Sequence, residues 1–210
     1  MSSSKLISIR SEYSKNRLEK LKNNLASIPE IEIFDNITIY TAGSFARFEA
    51  SEYSDIDLFF LINGKPDDLK EANIDTIRMF AIIVEVVDHM DFPKFSNDGK
   101  YLKISFSKEM IDSLGGSDDD YLNHFTSRML MLLESYPVYG NESYNSIIKE
   151  IVSSYFRDYP HHPDSFRPTF LVNDILRFWK TLCLNYEHKR NQPTEDQSQR
   201  IKQKVKNFKL

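Results

Sequence analysis

The sequence has a single cysteine and no long apolar run. Only Cys183 carries a thiol, which excludes an internal disulfide and is typical of the reducing cytosol. The apolar neighbours of Cys183, in a helical pattern, predict that it is packed in the interior. The apolar runs are too short to cross a bilayer, and the N-terminus has no hydrophobic signal core. We therefore expect a cytoplasmic protein with no membrane partner.

Zinc ligands are also scarce. His161 and His162 are adjacent, but no cysteine stands at ligand spacing, which argues against a zinc site. The chain of 210 residues is 40% apolar and 28% charged, which predicts a folded protein with one sizeable core or two small ones.

Positive charge is unevenly distributed. From Lys189 to the end, seven Lys or Arg residues stand against Glu195 and Asp196, so this tail carries about +5 and the remainder about −9 of the formal net charge of −4. Such a tail is typical either of contact with nucleic acid or acidic partners, or of a solvated helix face. Ile201, Val205 and Phe208 recur at helical spacing. This pattern is cut off at Leu210, so we expect a chain truncated at its C-terminus.

The most informative segment is 43–58, which reads GSFARFEASEYSDIDL. Asp55 and Asp57 are two residues apart, so on a strand their carboxylates share one face and can hold a divalent cation. Gly43 lacks a Cβ and Ser44 has a small hydroxyl, and the N–H groups that follow can bind phosphate. Arg47 either reaches phosphate or pairs with Glu49 or an aspartate. Metal and phosphate together indicate chemistry on a nucleoside triphosphate.

Periodicity predicts an α+β fold, in which a small mixed β-sheet packed with helices precedes a helical segment. A helical period covers residues 67–91, although 81–87 is also rich in β-branched residues and has a strand as its alternative. The Gly115-Gly116 break predicts two domains, a nucleotide-binding core over 1–115 and a helical domain over 116–210. The other predicted elements are a helix over 4–28, strands over 36–42, 54–62 and 101–106, a helical turn over 45–50, and helices over 118–136, 141–159 and 168–190.

Segment 43–58 resembles the nucleotidyltransferases of the DNA polymerase β superfamily, whose signature is Gly-Ser, ten residues, then Asp-x-Asp. The fuller form, Gly-Ser-x-Ala-Arg-x-Glu with Ser-Asp-Ile-Asp-Leu, is similar to the bacterial branch of protein-modifying uridylyl- and adenylyltransferases and small antitoxin nucleotidyltransferases. The resemblance implies that Asp55 and Asp57 are catalytic and bind Mg²⁺ or Mn²⁺. It also implies that Gly43 and Ser44 hold the triphosphate.

The family usually places a third carboxylate on a neighbouring strand. The predicted strand 101–106 has Lys103 and Ser105 but no acid. Asp98, just before it, is our first substitute as a catalytic residue, although it also suits an Asn-Asp-Gly turn. Glu85 is the second, provided that 81–87 is a strand.

The resemblance also implies a cationic side chain from the helical half, because in related enzymes a cation from that region often approaches the triphosphate. Arg177 and Lys180 are three residues apart on the predicted helix over 168–190, so they share a face. We select Lys180 as a nucleotide-binding residue, with an ordinary surface charge as the alternative.

By resemblance, the expected function is metal-dependent transfer of a nucleoside monophosphate, AMP being favoured, from a nucleoside triphosphate to a protein hydroxyl, with release of pyrophosphate. The alternatives are a tRNA or small-molecule nucleotidyltransferase, with the basic tail favouring RNA, and a degenerate module that binds nucleotide without turnover.

Overall fold

A computed structural model describes residues 3–68, 73–93, 95, 99 and 102–191 of the chain. These residues form a mixed α/β structure with one four-stranded sheet, which confirms the predicted fold class. Within these ranges no helix is both long and apolar enough to cross a membrane. The strands are β1 (Ile37–Ala42), β2 (Asp57–Ile62), β3 (Ile104–Phe106) and β4 (Ser135–Tyr139). The helices are α1 (Ser3–Leu25), α2 (Pro29–Glu32), α3 (Asn73–His89), α4 (Ser107–Asp112), α5 (Ser117–Tyr121), α6 (His124–Glu134), α7 (Asn141–Tyr155) and α8 (Thr169–Asn191).

The sheet has the order β3-β2-β1-β4. β1 is antiparallel to both β2 and β4, whereas β2 and β3 are parallel. A parallel pair needs a long crossover, and α3 lies in the connection between β2 and β3. Within the helix predicted over 67–91, α3 confirms residues 73–89, and it shows that 81–87 is not a strand.

One face of the sheet carries the main hydrophobic core. Alternate residues of β1 and β2, such as Ile39, Leu58 and Phe60, are at most 1% exposed and pack with buried residues of α1 and α3. The helix residues recur at helical spacing, so each helix turns one apolar stripe toward the sheet. In α1 these are Leu18, Leu21 and Leu25, and in α3 they are Met79, Ile83 and Val87.

The edge strand β4 was not predicted from the sequence. Residues 118–136 were predicted as one helix interrupted by Pro137. Instead, Asn123 adopts a left-handed conformation with φ 61° between α5 and α6, and the chain becomes extended at Ser135. Pro137 lies within β4, opposite Tyr40, beside a register shift in the pairing with β1. Proline is tolerated there because an edge strand has one unpaired side and the shift relaxes the ladder.

The contacts divide the chain into two compact units, Met1–Arg157 and Asp158–Leu210. The first unit continues past the Gly115-Gly116 break and includes β4 and α7. The predicted division into a nucleotide-binding core over 1–115 and a helical domain over 116–210 stays a prediction. In the second unit α8 confirms the helix predicted over 168–190. The predicted burial of Cys183 is wrong, because Cys183 is exposed. Beyond Asn191, where α8 ends, the basic tail lies outside the described residues.

A buried ion pair connects the helices that follow β3. Arg128 on α6 is 0% exposed, and its guanidinium donates to both carboxylate oxygens of Asp119 at 2.9 and 2.7 Å. It also donates to the Met110 carbonyl and the Tyr155 hydroxyl, each at 2.8 Å. Burial alone would lower the pKa of Arg128, but the hydrogen bonds to Asp119 and Tyr155 outweigh it and raise that pKa. The Asp119 carboxylate also accepts from the Gly115 N–H at 3.3 Å.

We predict that Asp119→Ala destabilises the protein by about 3–5 kcal/mol, because it leaves the Arg128 charge buried without its partner. Urea denaturation measures the loss. Asp118→Ala is the matched control, since Asp118 is exposed on the same short helix, and it should change the free energy of unfolding by less than about 0.5 kcal/mol. Equal losses in the two variants would show that the ion pair is not a major contributor.

Candidate active site

The two acidic residues of the motif lie at the start of β2. Asp57 is its first residue, and Asp55 precedes it by two positions. Both are partly exposed, whereas Ile56 and Leu58 are 0% and 1% exposed in the core. This alternation places Asp55 and Asp57 on the face of the sheet opposite the main core, as predicted.

The glycine turn starts beside these acids. Asp57 pairs with Ala42, the last residue of β1, so Gly43 leaves the sheet next to the acidic pair. Gly43 has φ 72°, a left-handed conformation that glycine adopts without a Cβ penalty. Its N–H donates to the Glu134 carbonyl at 3.1 Å, which joins the turn to the end of α6.

Segment 43–48 forms a single tight turn. Its carbonyls accept from within the turn, with Arg47 N–H to Gly43 O at 3.0 Å and Glu49 N–H to Ser44 O at 2.8 Å. Phe48 ends it with φ 55°. The helical turn predicted over 45–50 therefore lies two residues earlier than expected and begins at the glycine.

The N–H groups at the start of this turn are available to an anion. Those of Ser44, Phe45 and Ala46 donate to no acceptor in the described part of the chain. A Cβ built on Gly43 would meet no heavy atom within 4 Å, so the space beside the glycine is open. Consecutive N–H donors with open space before them are the arrangement that phosphate groups use.

The far end of the turn is anchored to α1. The Ala50 N–H donates to the Ser14 hydroxyl at 3.0 Å, and that hydroxyl donates to the Arg10 carbonyl at 2.7 Å. Ser14 and Ala50 are both 0% exposed. Phe45, 1% exposed, packs edge-on against Phe92 with ring centroids 5.4 Å apart. The turn is thus held from the core side, while Gly43, Ser44 and Ala46 remain partly exposed.

Arg47 is engaged by two carboxylates. Its Nε donates to Glu49 at 3.0 Å, and its Nη1 donates to Glu134. The predicted pairing of Arg47 with Glu49 is therefore confirmed. The second partner of Arg47, Glu134, was not predicted. Contact of Arg47 with phosphate stays a prediction, and it requires the guanidinium to exchange at least one of these partners.

An aromatic cluster lies next to Asp57, on the same face of the sheet and farther along β1 and β2. Phe59, two residues after Asp57, stacks on Tyr40 with centroids 5.3 Å apart, and Tyr144 of α7 lies 6.2 Å from Tyr40. Burial, and then the neighbouring Tyr144, raise the pKa of Tyr40 well above its usual value. Tyr40 therefore stays neutral at physiological pH and acts as packing rather than as a base.

The third carboxylate is not found on β3, whose residues are Ile104, Ser105 and Phe106. Asp98, our first substitute, lies outside the described residues. Glu85 cannot serve from a strand, because it is exposed on α3. In the described part of the chain, no three His, Cys, Asp or Glu side chains are grouped to hold a metal ion. A pair of carboxylates still fits Mg²⁺, which is often held by one or two protein carboxylates together with substrate phosphates.

Lys180 lies on α8, in the second unit, with an exposed side chain. Its neighbour Arg177 pairs with Asp174 at 3.5 Å. A role for Lys180 in nucleotide binding stays a prediction.

Comparison with known families agrees with this geometry. Residues 18–113 match the family model described as a nucleotidyltransferase domain. The match supports the superfamily named from the motif, and with it a nucleotidyltransferase. It spans α1 from Leu18, the glycine turn, the acidic pair and β3 as far as α4. No curated protein matches the chain at a significant level.

Two supporting residues were missed by sequence reasoning. Ser14 occupies a position in α1 that reads as a polar helix residue, and nothing in the sequence connects it with Ala50. Glu134 comes 90 positions after Ser44, and only the pairing of β4 with β1 brings it to the turn. Covariation of Ser14 or of Glu134 with the residue that it contacts would be the sequence signal that indicates these contacts.

We predict that Gly43→Ala retains the fold and destabilises it by only about 1–2 kcal/mol, because a left-handed backbone strains alanine but no atom clashes with its Cβ. Thermal or urea denaturation tests this. Gly140→Ala is the contrasting variant, since Gly140 has φ 68° and its Cβ would overlap the Ile37 carbonyl and lie 3.0 Å from the Thr38 Cα. Gly140→Ala should lower the free energy of unfolding clearly more than Gly43→Ala does. If Gly43→Ala proves equally destabilising, the space beside Gly43 is not open.

Proposed function

We propose that this protein is a metal-dependent nucleotidyltransferase that transfers AMP from ATP to a hydroxyl group of a protein. The observation that carries the proposal is the pairing of Ala42 with Asp57, which sets the glycine turn beside the acidic pair. The family match supports the transferase class. The choice of ATP and of a protein acceptor rests on the resemblance of the motif to the protein-modifying branch.

In the proposed reaction, the acceptor oxygen forms a bond to the α-phosphorus while the bond from that phosphorus to the bridging oxygen breaks. Pyrophosphate leaves with the bond's electron pair. Asp55 and Asp57 would hold Mg²⁺ or Mn²⁺, which neutralises phosphate charge and acidifies the acceptor hydroxyl. The turn N–H groups of Ser44 to Ala46 orient the triphosphate tail for in-line displacement. Asp98 is the proposed acceptor of the hydroxyl proton.

The test uses a panel of the four α-labelled nucleoside triphosphates, with Mg²⁺ or Mn²⁺ and a cell lysate that supplies acceptors. We expect label on a discrete protein, strongest with ATP. Asp55→Asn and Asp57→Asn should each lower labelling at least ~100-fold, because several kcal/mol of charge stabilisation are lost. Asp112→Asn, at an exposed acid of α4, is the matched control and should label normally. Equal labelling by all variants would refute the assignment of the acidic pair.

One observation favours a second candidate, a module that binds nucleotide without turning it over. The described residues of β3 include no carboxylate, and the family usually has one at that edge. Such a module would bind ATP with an affinity that depends on Asp55 and Asp57, yet release no pyrophosphate with any acceptor.

The acceptor is tested separately. If label appears on tRNA rather than protein, and if tRNA binding weakens steeply with rising salt, the transferase class stands but the protein acceptor is wrong.

A further inference from the structure

An open polar cavity lies at the surface of the helical layer that packs on the main core face of the sheet. Its volume is about 450 Å³, and it is formed where the C-terminal half of α1 meets the end of α3. Since α1 and α3 pack on the core face of the sheet, this cavity is separate from the acidic pair on the opposite face. Its lining includes Arg17, Lys20, Asn23, Asn24, His89 and Asp91.

The lining suits an anion with hydrogen-bonding groups. Arg17 and Lys20 outnumber the single acidic residue, Asp91, and Met90 is the one apolar residue among the described lining residues. The amides of Asn23 and Asn24 supply both donors and acceptors. A cavity of this composition offers little to an apolar ligand, and its size falls in the range of small-molecule sites.

Arg17 is held in place before any ligand arrives. Its guanidinium donates to the Met90 carbonyl and lies 4.0 Å from the centre of the Phe92 ring. His89 is also oriented, because its Nδ1 lies 2.7 Å from the Glu85 carbonyl. Groups already held in one geometry lose little conformational entropy when they bind an oxyanion.

The cavity is linked to the glycine turn by packed rings. Phe92, beneath the Arg17 guanidinium, meets Phe45 edge-on at 5.4 Å. Phe45 follows Ser44 directly in the turn. Two buried aromatic side chains therefore join Arg17 to the turn, and a close-packed core of this kind transmits strain.

We propose that this cavity binds a nucleotide-sized phosphate ester, and that its occupancy is sensed at the Gly43-Ser44 turn through Phe92 and Phe45. The site is distinct from the proposed catalytic one, and its ligand requires no divalent metal. The proposal stands whether or not the transferase reaction occurs.

The test is an NMR titration of ¹⁵N-labelled protein with 5′-AMP in the presence of EDTA. The chemical shifts of backbone amide and side-chain NH₂ groups are measured at each 5′-AMP concentration. We expect saturable shifts at Lys20, Asn23, Asn24 and His89, and shifts at Ser44 and Phe45 with the same midpoint. Lys20→Ala should raise that midpoint about fivefold at all of these positions together, because one cation is lost from the phosphate. Lys5→Ala is the control, as an exposed lysine near the start of the same helix, and should leave the midpoint unchanged.

Two results would overturn the binding site: shifts confined to residues 43–57, or equal midpoints in Lys20→Ala and Lys5→Ala. Shifts at the cavity without any at Ser44 and Phe45 would overturn the coupling. A single-stranded RNA decamer forms a separate arm. If it binds the cavity more tightly than 5′-AMP and is equally weakened by Lys20→Ala, the ligand is RNA and the small-molecule assignment is wrong.

Discussion

The antiparallel pairing of β1 with β2 is the constraint on which the rest of the structure depends. By setting Ala42 opposite Asp57, it fixes both the place where Gly43 leaves the sheet and the face that Asp55 and Asp57 occupy. A shift of one residue would turn the acids into the core and bring Ile56 and Leu58 out to solvent. Burial of the apolar residues that alternate with the acids therefore stabilises the same register that the site requires.

The turn itself is held by contacts from three directions. Ser14 on α1 accepts from its far end, Phe92 packs against Phe45 from below, and Glu134 contacts it from β4's side through both its carbonyl and its carboxylate. These supports leave the N–H groups of Ser44, Phe45 and Ala46 without described acceptors, which is the feature that a phosphate requires. A site built in this way has rigid donors, so binding an anion there costs little reorganisation.

The fold was partly predictable, because β1, β2 and α3 each carry a clear period and the signature spacing is local. Edge strand β4 was not predictable, since its residues continue the period of α6 and Pro137 reads as a break. Cys183 was assigned to the core because its neighbours are apolar. That assignment failed because apolar neighbours predict burial only when a partner surface covers that side of the helix. The site also divides into local and long-range contributions. Asp55, Asp57, Gly43 and Ser44 lie together as expected because they are close in sequence, whereas Ser14 and Glu134 approach from distant parts of the chain.

By itself, the amino-acid order determined the strand alternation that separates acids from core residues, and the glycine that permits a left-handed turn between β1 and β2. Both are consequences of backbone geometry over a few neighbouring residues. Only the tertiary structure decided that Arg47 is shared between Glu49 and Glu134, that Asp119 neutralises a buried Arg128, and that a polar cavity opens between α1 and α3. Each of these depends on charges and donors brought together across dozens of residues, where packing rather than local sequence selects the partner.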